Sequence, residues 1–418
     1  MQPALTPAVD RPAFTQSKYL VTLGFVTSLF MLWGVGITLG DVLNRHFQQV
    51  LHVSKADSAL VQFSIFGAYF VMGLPAGWFM NRFGYQRGVL LGLGLYAAGA
   101  FLMLPAASAA SFGGLRIALF ILACGLATLE AVAHPFLDGL GDARSSDRRI
   151  TFAHAINGIG AISGPLIGGY FILRSGTNDT DLTSVKTLYL IIGLVVASVG
   201  IVFSFVKVPP LVVDHEAVPE SPTDTTADKK LFQHRHFVWA CVAQLFNVAA
   251  QGGTWAFFIN YGVAYMPGMS DAQASYFFSL SLGLMMLGRF LGTYLMQFIA
   301  PNRLLAVAAF ANLCLCFIIA QHWGCVSFVA LMGLNLFFSI MFPTIYSLGL
   351  KDLGRHKGLG SSFIVMGVVG GALFPRLMGI VANRSVAEAY YLPIICYAVV
   401  FLFAIRLYRV RSAQPAAK

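Results

Sequence analysis

Apolar stretches follow one another along the chain, each near the roughly 20 residues that a helix needs to cross a bilayer. They lie at about 19–44, 58–80, 87–106, 112–137, 149–174 and 186–208, and then at about 236–264, 272–299, 302–320, 324–350, 358–383 and 388–409. Between the sixth and the seventh comes the one long polar segment of the interior, VPPLVVDHEAVPESPTDTTADKKLFQHRH. Its Pro, Thr and acidic residues read as a linker. The pattern predicts an all-α membrane protein with 12 transmembrane helices in two six-helix bundles. The expected divisions are a tail at 1–18, a first bundle at 19–208, a linker at 209–235, a second bundle at 236–409 and a tail at 410–418.

Composition excludes the main competitor to this reading. With 57% hydrophobic and only 11% charged residues, and a mean hydropathy of +0.74, the chain lacks the polar surface of a soluble domain. The formal charge of +10 does not point to nucleic acid, because the basic residues sit between apolar runs rather than along one stripe. If both termini are cytoplasmic, roughly 19 Lys and Arg fall inside and about six outside, which is the positive-inside bias. Clusters such as Arg82 with Arg87, Arg144 with Arg148 and Arg149, and Lys351 with Arg355 and Lys357 carry it. The expected setting is therefore a multi-pass protein of a cell membrane, a bacterial inner membrane, working as a monomer with the lipid bilayer around it. The polar N-terminus has no small-residue cleavage site, so a removable signal peptide is not expected. Cys124, Cys241, Cys314, Cys316, Cys325 and Cys396 sit in or beside apolar runs without metal-ligand spacing, and read as small buried hydrophobes.

Two acids stand out against this background. Glu130 lies inside ALFILACGLATLEAVAHPFL, and Asp41 lies near the end of LWGVGITLGDVL. A carboxylate in the bilayer costs a few kcal/mol unless it is protonated, paired or facing water. The other acids can be placed in loops, tails or helix ends. The pair thus predicts a water-accessible cavity with two titrating groups, and transport as the function. The plainer alternatives are an i to i+4 salt bridge from Asp41 to Arg45, and a structural Glu130 that stays hydrogen-bonded or protonated.

A repeat supports two halves. GLPAGWFMNRFGYQR at 73–87 and GRFLGTYLMQFIAPNR at 288–303 share Gly-x-x-x-Gly, then Met, then a basic residue opening the next span. The first block also resembles the signature loop of the major facilitator superfamily, in the form Gly77, Asn81, Arg82, Gly84 and Arg87. Asn81 stands where that pattern has an acid, so one charge interaction of the closed gating loop is expected to be missing. LWGVGITLGDVL, VQFSIFGAYFVMGLPAG, the Glu130 helix, GRFLGTYLMQFIAP, FPTIYSLGLKDLG and GSSFIVMGVVGGA more specifically resemble the fucose-proton symporter family of sugar transporters. The resemblance implies the major facilitator fold, with a site between the bundles at mid-depth.

It also implies roles. Asp41 and Glu130 align with the two family carboxylates that bear on cation coupling and substrate binding. A neutral acid crosses a bilayer-centred transition far more cheaply than a carboxylate, so protonation can license the swing. His134, one turn after Glu130, and His154, sharing a face with Asn157, stand where the family leads one to expect amides, and join the substrate-binding candidates. Satisfied structural histidines are the alternative; metal ligation by the two is weaker, since zinc needs more protein ligands. Gly160, Gly164 and Gly168 form a small-residue groove for another helix.

In the second half, LFNVAAQGGTWAFFINYG places Gln244, Asn247, Gln251, Trp255 and Phe258 on one face, with Gly252 and Gly253 able to soften the helix. Amides beside an aromatic ring suit a polyhydroxylated ligand. Gln251 and Trp255 are therefore substrate-binding candidates, with Asn260 added by the family pattern. No Walker loop, dinucleotide fingerprint or Gly-x-Ser-x-Gly elbow appears in a supporting context, so an enzyme and a cofactor are not expected. The reading is a symporter that imports a hexose or deoxyhexose with a cation, the proton first. Sodium is the rival, with Asp41, Thr38 and backbone oxygens as part of a shell. A proton-coupled exporter, or a membrane enzyme using His134, His154 and Glu130, are the remaining alternatives.

Overall fold

The computed structural model describes residues 15, 19–138, 140, 146–174, 182–206, 230–353 and 356–409. Both tails and most of the linker fall outside them. Among the described residues the secondary structure is helical throughout.

The first half contributes α1 (Leu20–Val50), α2 (Leu60–Phe83), α3 (Tyr85–Ser108), α4 (Phe112–Asp138), α5 (Ser146–Gly168, extended by a wide turn at Gly169–Leu173) and α6 (Thr183–Phe205). In the second half, α7 is split into Arg235–Ala256 and Phe258–Tyr265, and is followed by α8 (Asp271–Leu295) and α9 (Pro301–Ala320). Next come α10 (Cys325–Phe338 with Met341–Gly349), α11 (Lys357–Met366 and Gly370–Ala382 around a tight turn at Gly367–Val369) and α12 (Tyr391–Leu402 with Phe403–Leu407).

Local sequence explains the boundaries. Gly84 sits at φ 85°, a left-handed conformation open to glycine, and separates α2 from α3 in a single residue. Ser270 caps α8 by accepting from the Gln273 backbone N–H, while the Gln273 side chain returns the bond. Pro301 begins α9, where its missing N–H costs nothing.

Among the described residues, eleven segments are each long and apolar enough to cross a membrane. The crossing expected at 236–264 is not among them; α7 covers that stretch in two pieces. Its amides lower the local hydropathy, and its helix is interrupted at Phe257 just after the Gly252–Gly253 pair. Those glycines admit α11 closely, with Gly371 and Pro375 against Gly252 and Phe374 and Met378 against Gly253.

The packing repeats with a shift of six helices. In the first half α1 packs on α5, α3 on α4, α2 on α4 and α3 on α6. In the second, α7 packs on α11, α9 on α10, α8 on α10 and α9 on α12. The same operation relates the two seams between the halves, α2 with α11 and α8 with α5. Even the closest approaches correspond: a β-carbon at Gly160 of α5 would lie 2.2 Å from the Met31 carbonyl oxygen of α1, and one at Gly370 of α11 would lie 2.0 Å from the Leu245 carbonyl oxygen of α7. Each half has its own buried apolar core.

The two seams are tied on the side opposite the chain ends, the far side. Arg45 of α1 pairs with Asp271 of α8 at 2.5 Å, and Gln49 Nε2 donates to the other Asp271 oxygen at 2.8 Å. Asn260 Nδ2 donates to Gln48 Oε1 at 2.5 Å, and the Lys55 backbone N–H donates to Asn383 Oδ1 at 2.9 Å. Ser275 Oγ donates to the Pro165 carbonyl at 2.6 Å. Every one of these partners lies toward a far-side helix end, so this is a conformation closed on the far side.

Candidate functional site

Glu130 is half-buried on α4. Together with Leu129 and Ala133 it faces Leu29, Phe30 and Trp33 of α1 across a space of about 10 Å³, room for roughly one water. Trp33 Nε1 donates to Tyr69 Oη of α2, and Tyr69 lies within electrostatic range of Glu130. His154 of α5 stands edge-on to both rings of α1, with centroids 5.5 Å from Phe30 and 6.5 Å from Trp33. Thus a carboxyl group faces two rings of α1, which in turn meet Tyr69 of α2 and His154 of α5. Such an arrangement offers stacking to C–H faces, and its carboxyl, phenol and imidazole groups offer hydrogen bonds to hydroxyls.

The glycine groove makes this cluster possible, because α1 and α5 could not otherwise come so near. Asn157 belongs to that crossing: its Nδ2 donates to the Phe30 carbonyl at 3.0 Å. The amide therefore fixes the backbone that carries Phe30 and Trp33. His134 lies on α4, but its side chain is outside the described ones, as is that of Asn81.

Asp41 occupies a different place. Eight residues beyond Trp33 on α1, it is about 12 Å further along the helix axis. It is only 5% exposed, and Gln62 Nε2 of α2 donates to its Oδ1. The Gln62 Oε1 atom is buried with no hydrogen-bond partner. Arg45 is engaged across the seam with Asp271 rather than with Asp41. Thr38, the suggested sodium ligand, shares its hydroxyl between the Gly34 and Ala161 carbonyls, both at 3.0 Å.

The amide face of the second half divides into several environments. Trp255 is 7% exposed and points into its own bundle, where Nε1 donates to Asn335 Oδ1 at 2.8 Å. Asn335 Nδ2 in turn donates to Ser281 Oγ at 2.8 Å, and Ser281 donates to the Met332 carbonyl. Asn260, past the break at Phe257, belongs to the far-side ties. Gln251 is half-buried. Gln244 and Asn247 are fully buried with neither end of either amide hydrogen-bonded. The structure thus sets Glu130 and His154 each against Phe30 and Trp33, ties Asn157 to the Phe30 carbonyl, and gives Trp255 and Asn260 partners elsewhere.

A family model described as Major Facilitator Superfamily matches residues 21–375. The chain belongs to the major facilitator superfamily. Within it, the L-fucose-proton symporter of Escherichia coli (strain K12) is 34% identical over 417 residues, 95% of either chain. A glucose/galactose transporter of Brucella abortus biovar 1 (strain 9-941) is 33% identical over 396 residues, 94% of this chain and 95% of that one. The crystal structure of the major facilitator transporter FucP in the outward conformation superposes with a TM-score of 0.66 at 34% identity, covering 93% of this chain and 98% of that one.

The stretch that resembles the superfamily's signature loop joins α2 to α3. Gly77 has open space around it, and Arg82 and Arg87 are exposed. The Arg82 guanidinium lies 5.6 Å from the Trp78 ring and 5.7 Å from the Phe83 ring. Four groups at the two acids escaped the sequence reading: Phe30, Trp33, Gln62 and Tyr69. Gln62 carried a signal, being an amide inside an apolar run. The three aromatics carried none, since a ring in a membrane helix is ordinarily packing.

Proposed function

We propose that this chain is a proton-coupled symporter that imports a hexose or deoxyhexose by alternating access between its two bundles, 19–208 and 236–409. The observation that carries the reading is the Glu130 carboxyl group facing Phe30 and Trp33 inside the first bundle, with Tyr69 and His154 against those rings in turn. The named relatives move fucose with protons, or glucose and galactose, and they match nearly the whole chain.

In this account Asp41 is the coupling group. An ionised Asp41 accepts from the Gln62 amide; a protonated one donates, and rotation of that amide turns the unused Oε1 toward it. One neighbour therefore serves both protonation states. Asp41 and the Thr38 oxygen make up only part of a sodium shell, and the proton is the better fit. Glu130 hydrogen-bonds sugar hydroxyls and titrates in step, with His134, His154 and Asn157 on its side. Gln251, Trp255 and Asn260 contribute from the second bundle only when rocking releases the far-side ties and the Asn335 bond.

Orientation follows from the basic residues: the side of the chain ends is cytoplasmic, in a bacterial inner membrane, and the conformation closed on the far side is inward-facing. Arg82, Gly84 and Arg87 then dock in the outward-facing state, and a single copy does the work without a cofactor beyond the coupling ion. The test is uptake of radiolabelled fucose, glucose, galactose and N-acetylglucosamine into proteoliposomes, with proton and sodium gradients imposed in turn. Saturable uptake of at least one sugar driven by the proton gradient is expected. Uptake driven by sodium alone would replace the proton, and no uptake under either gradient would end the sugar reading.

A further inference from the structure

A second cavity lies away from the acids, at the α2–α11 seam toward the far side, where the apolar side chains of Phe63 and Leu373 are exposed. It measures about 300 Å³ and is lined by Leu60 and Phe63 of α2, Arg116 of α4, and Ala372, Leu373 and Arg376 of α11. Two arginines from opposite bundles thus line one pocket, within electrostatic range of each other. Neither takes part in an ion pair among the described residues, and the Arg116 Nε–H is buried with no acceptor. Two facing guanidinium groups repel, and a buried unpaired donor on a charged group is costly.

Asp57 is the carboxylate in range of Arg116. It is engaged elsewhere, accepting from Ser54 Oγ at 2.7 Å in the cap of the short helix Lys55–Ser58.

Depth and surroundings narrow the ligand. Arg116 is four residues from the far-side start of α4 and Arg376 six from the far-side end of α11, about 6–9 Å inside the helix ends. That is the level at which a bilayer changes from headgroup to acyl chain. Phe63, at the pocket, is 41% exposed, and Phe70 and Leu74 continue its α2 face toward mid-membrane at 45% and 61%. The site therefore has a doubly cationic head and an apolar lane leading inward from it. We infer that this groove binds the phosphate of an anionic phospholipid from the far-side leaflet, with one acyl chain laid along α2. The fork of each guanidinium matches a phosphate oxygen pair, and one phosphate between them replaces repulsion by two attractions. Because the pocket joins α2 and α4 of one bundle to α11 of the other, the lipid fastens the far-side-closed state.

Native mass spectrometry on the full chain, loaded in turn with phosphatidylglycerol and phosphatidylcholine, tests this. The wild-type chain retains phosphatidylglycerol in preference, excess inorganic phosphate does not displace it, and R116Q/R376Q loses about tenfold in retention, the effect of some 1.4 kcal/mol. The lysine pair R116K/R376K keeps the charge and the fold while losing the fork, and falls between the two. Equal retention by wild type and both double variants would overturn the site. Displacement of the lipid by inorganic phosphate would overturn the lipid assignment in favour of a free anion.

Discussion

The two bundles share a packing plan and differ in chemistry. The contacts that hold α1 to α5 recur between α7 and α11, down to a glycine set against a carbonyl oxygen in each. Yet the acids within spans, Asp41 and Glu130, belong to the first bundle, whereas the second fills corresponding space with Gln244, Asn247, Trp255, Asn335 and Ser281. Backbone packing is thus common to both, while the span carboxyl groups Asp41 and Glu130 stand in the first. Under the proposed mechanism the difference amounts to a division of labour: the first bundle would handle the cation, and the second would offer neutral hydrogen bonds and a counterface.

The largest expected effect breaks this division outright. Asp41→Asn keeps the shape and the Gln62 contact but removes the titrating proton. It should abolish gradient-driven accumulation, a loss of about tenfold or more, while sugar counterflow under equal pH persists. Concentrative uptake by that variant at the wild-type level would take Asp41 out of the coupling role.

Next come the paired glycines, which probe what the bundles share. Gly160→Ala and Gly370→Ala each drive a methyl group into a carbonyl oxygen, and each should cost about 1–3 kcal/mol, read as a similar fall in the thermal unfolding midpoint in detergent. A large effect in one bundle and none in the other would show that the packing correspondence is superficial.

Smaller again is the far-side tie. Arg45 and Asp271 are each 18% exposed, so Asp271→Asn should weaken closure by about 1 kcal/mol. Spin labels on the far-side ends of α2 and α11 should then report an open population roughly fivefold larger. An unchanged distance distribution would assign the tie no part in closure. The smallest change is Trp255→Phe, which strands Asn335 Oδ1 at a cost of about 1 kcal/mol. It should lower thermal stability by a few degrees and leave the proton-to-sugar coupling ratio untouched.

Much of the fold was legible in the sequence because bilayer thickness sets the length of each apolar run directly, as from Leu20 to Val50 or Thr183 to Phe205. The break in α7 was half legible: Gly252 and Gly253 announced softness, but its position at Phe257 depends on how α11 packs. The site was readable where its chemistry is scarce. A carboxylate in a membrane helix is costly, which made Asp41 and Glu130 conspicuous, and an imidazole made His154 so. Trp33 and Tyr69 were not, because an aromatic ring has the same place in a packed helix whether or not it faces an acid. The face periodicity of Gln251 and Trp255 told only part of the arrangement: spacing groups residues on a helix, but the partners Asn335 and Gln48 decide where Trp255 and Asn260 point in this conformation. Arg149 is a further case. Counted by sequence in a cytoplasmic-side basic cluster, it is fully buried, and its Nε donates to the Leu137 carbonyl at 2.7 Å, near the end of α4.

The central claim is that a proton moves with the sugar through the acids of the first bundle. Vesicles loaded with a pH-sensitive dye, with no gradient imposed and the transported sugar added outside, read that movement directly. The account predicts internal acidification on sugar addition to the wild-type chain, and none with Asp41→Asn. Sugar uptake by the wild type without acidification, or acidification undiminished in Asp41→Asn, would contradict it.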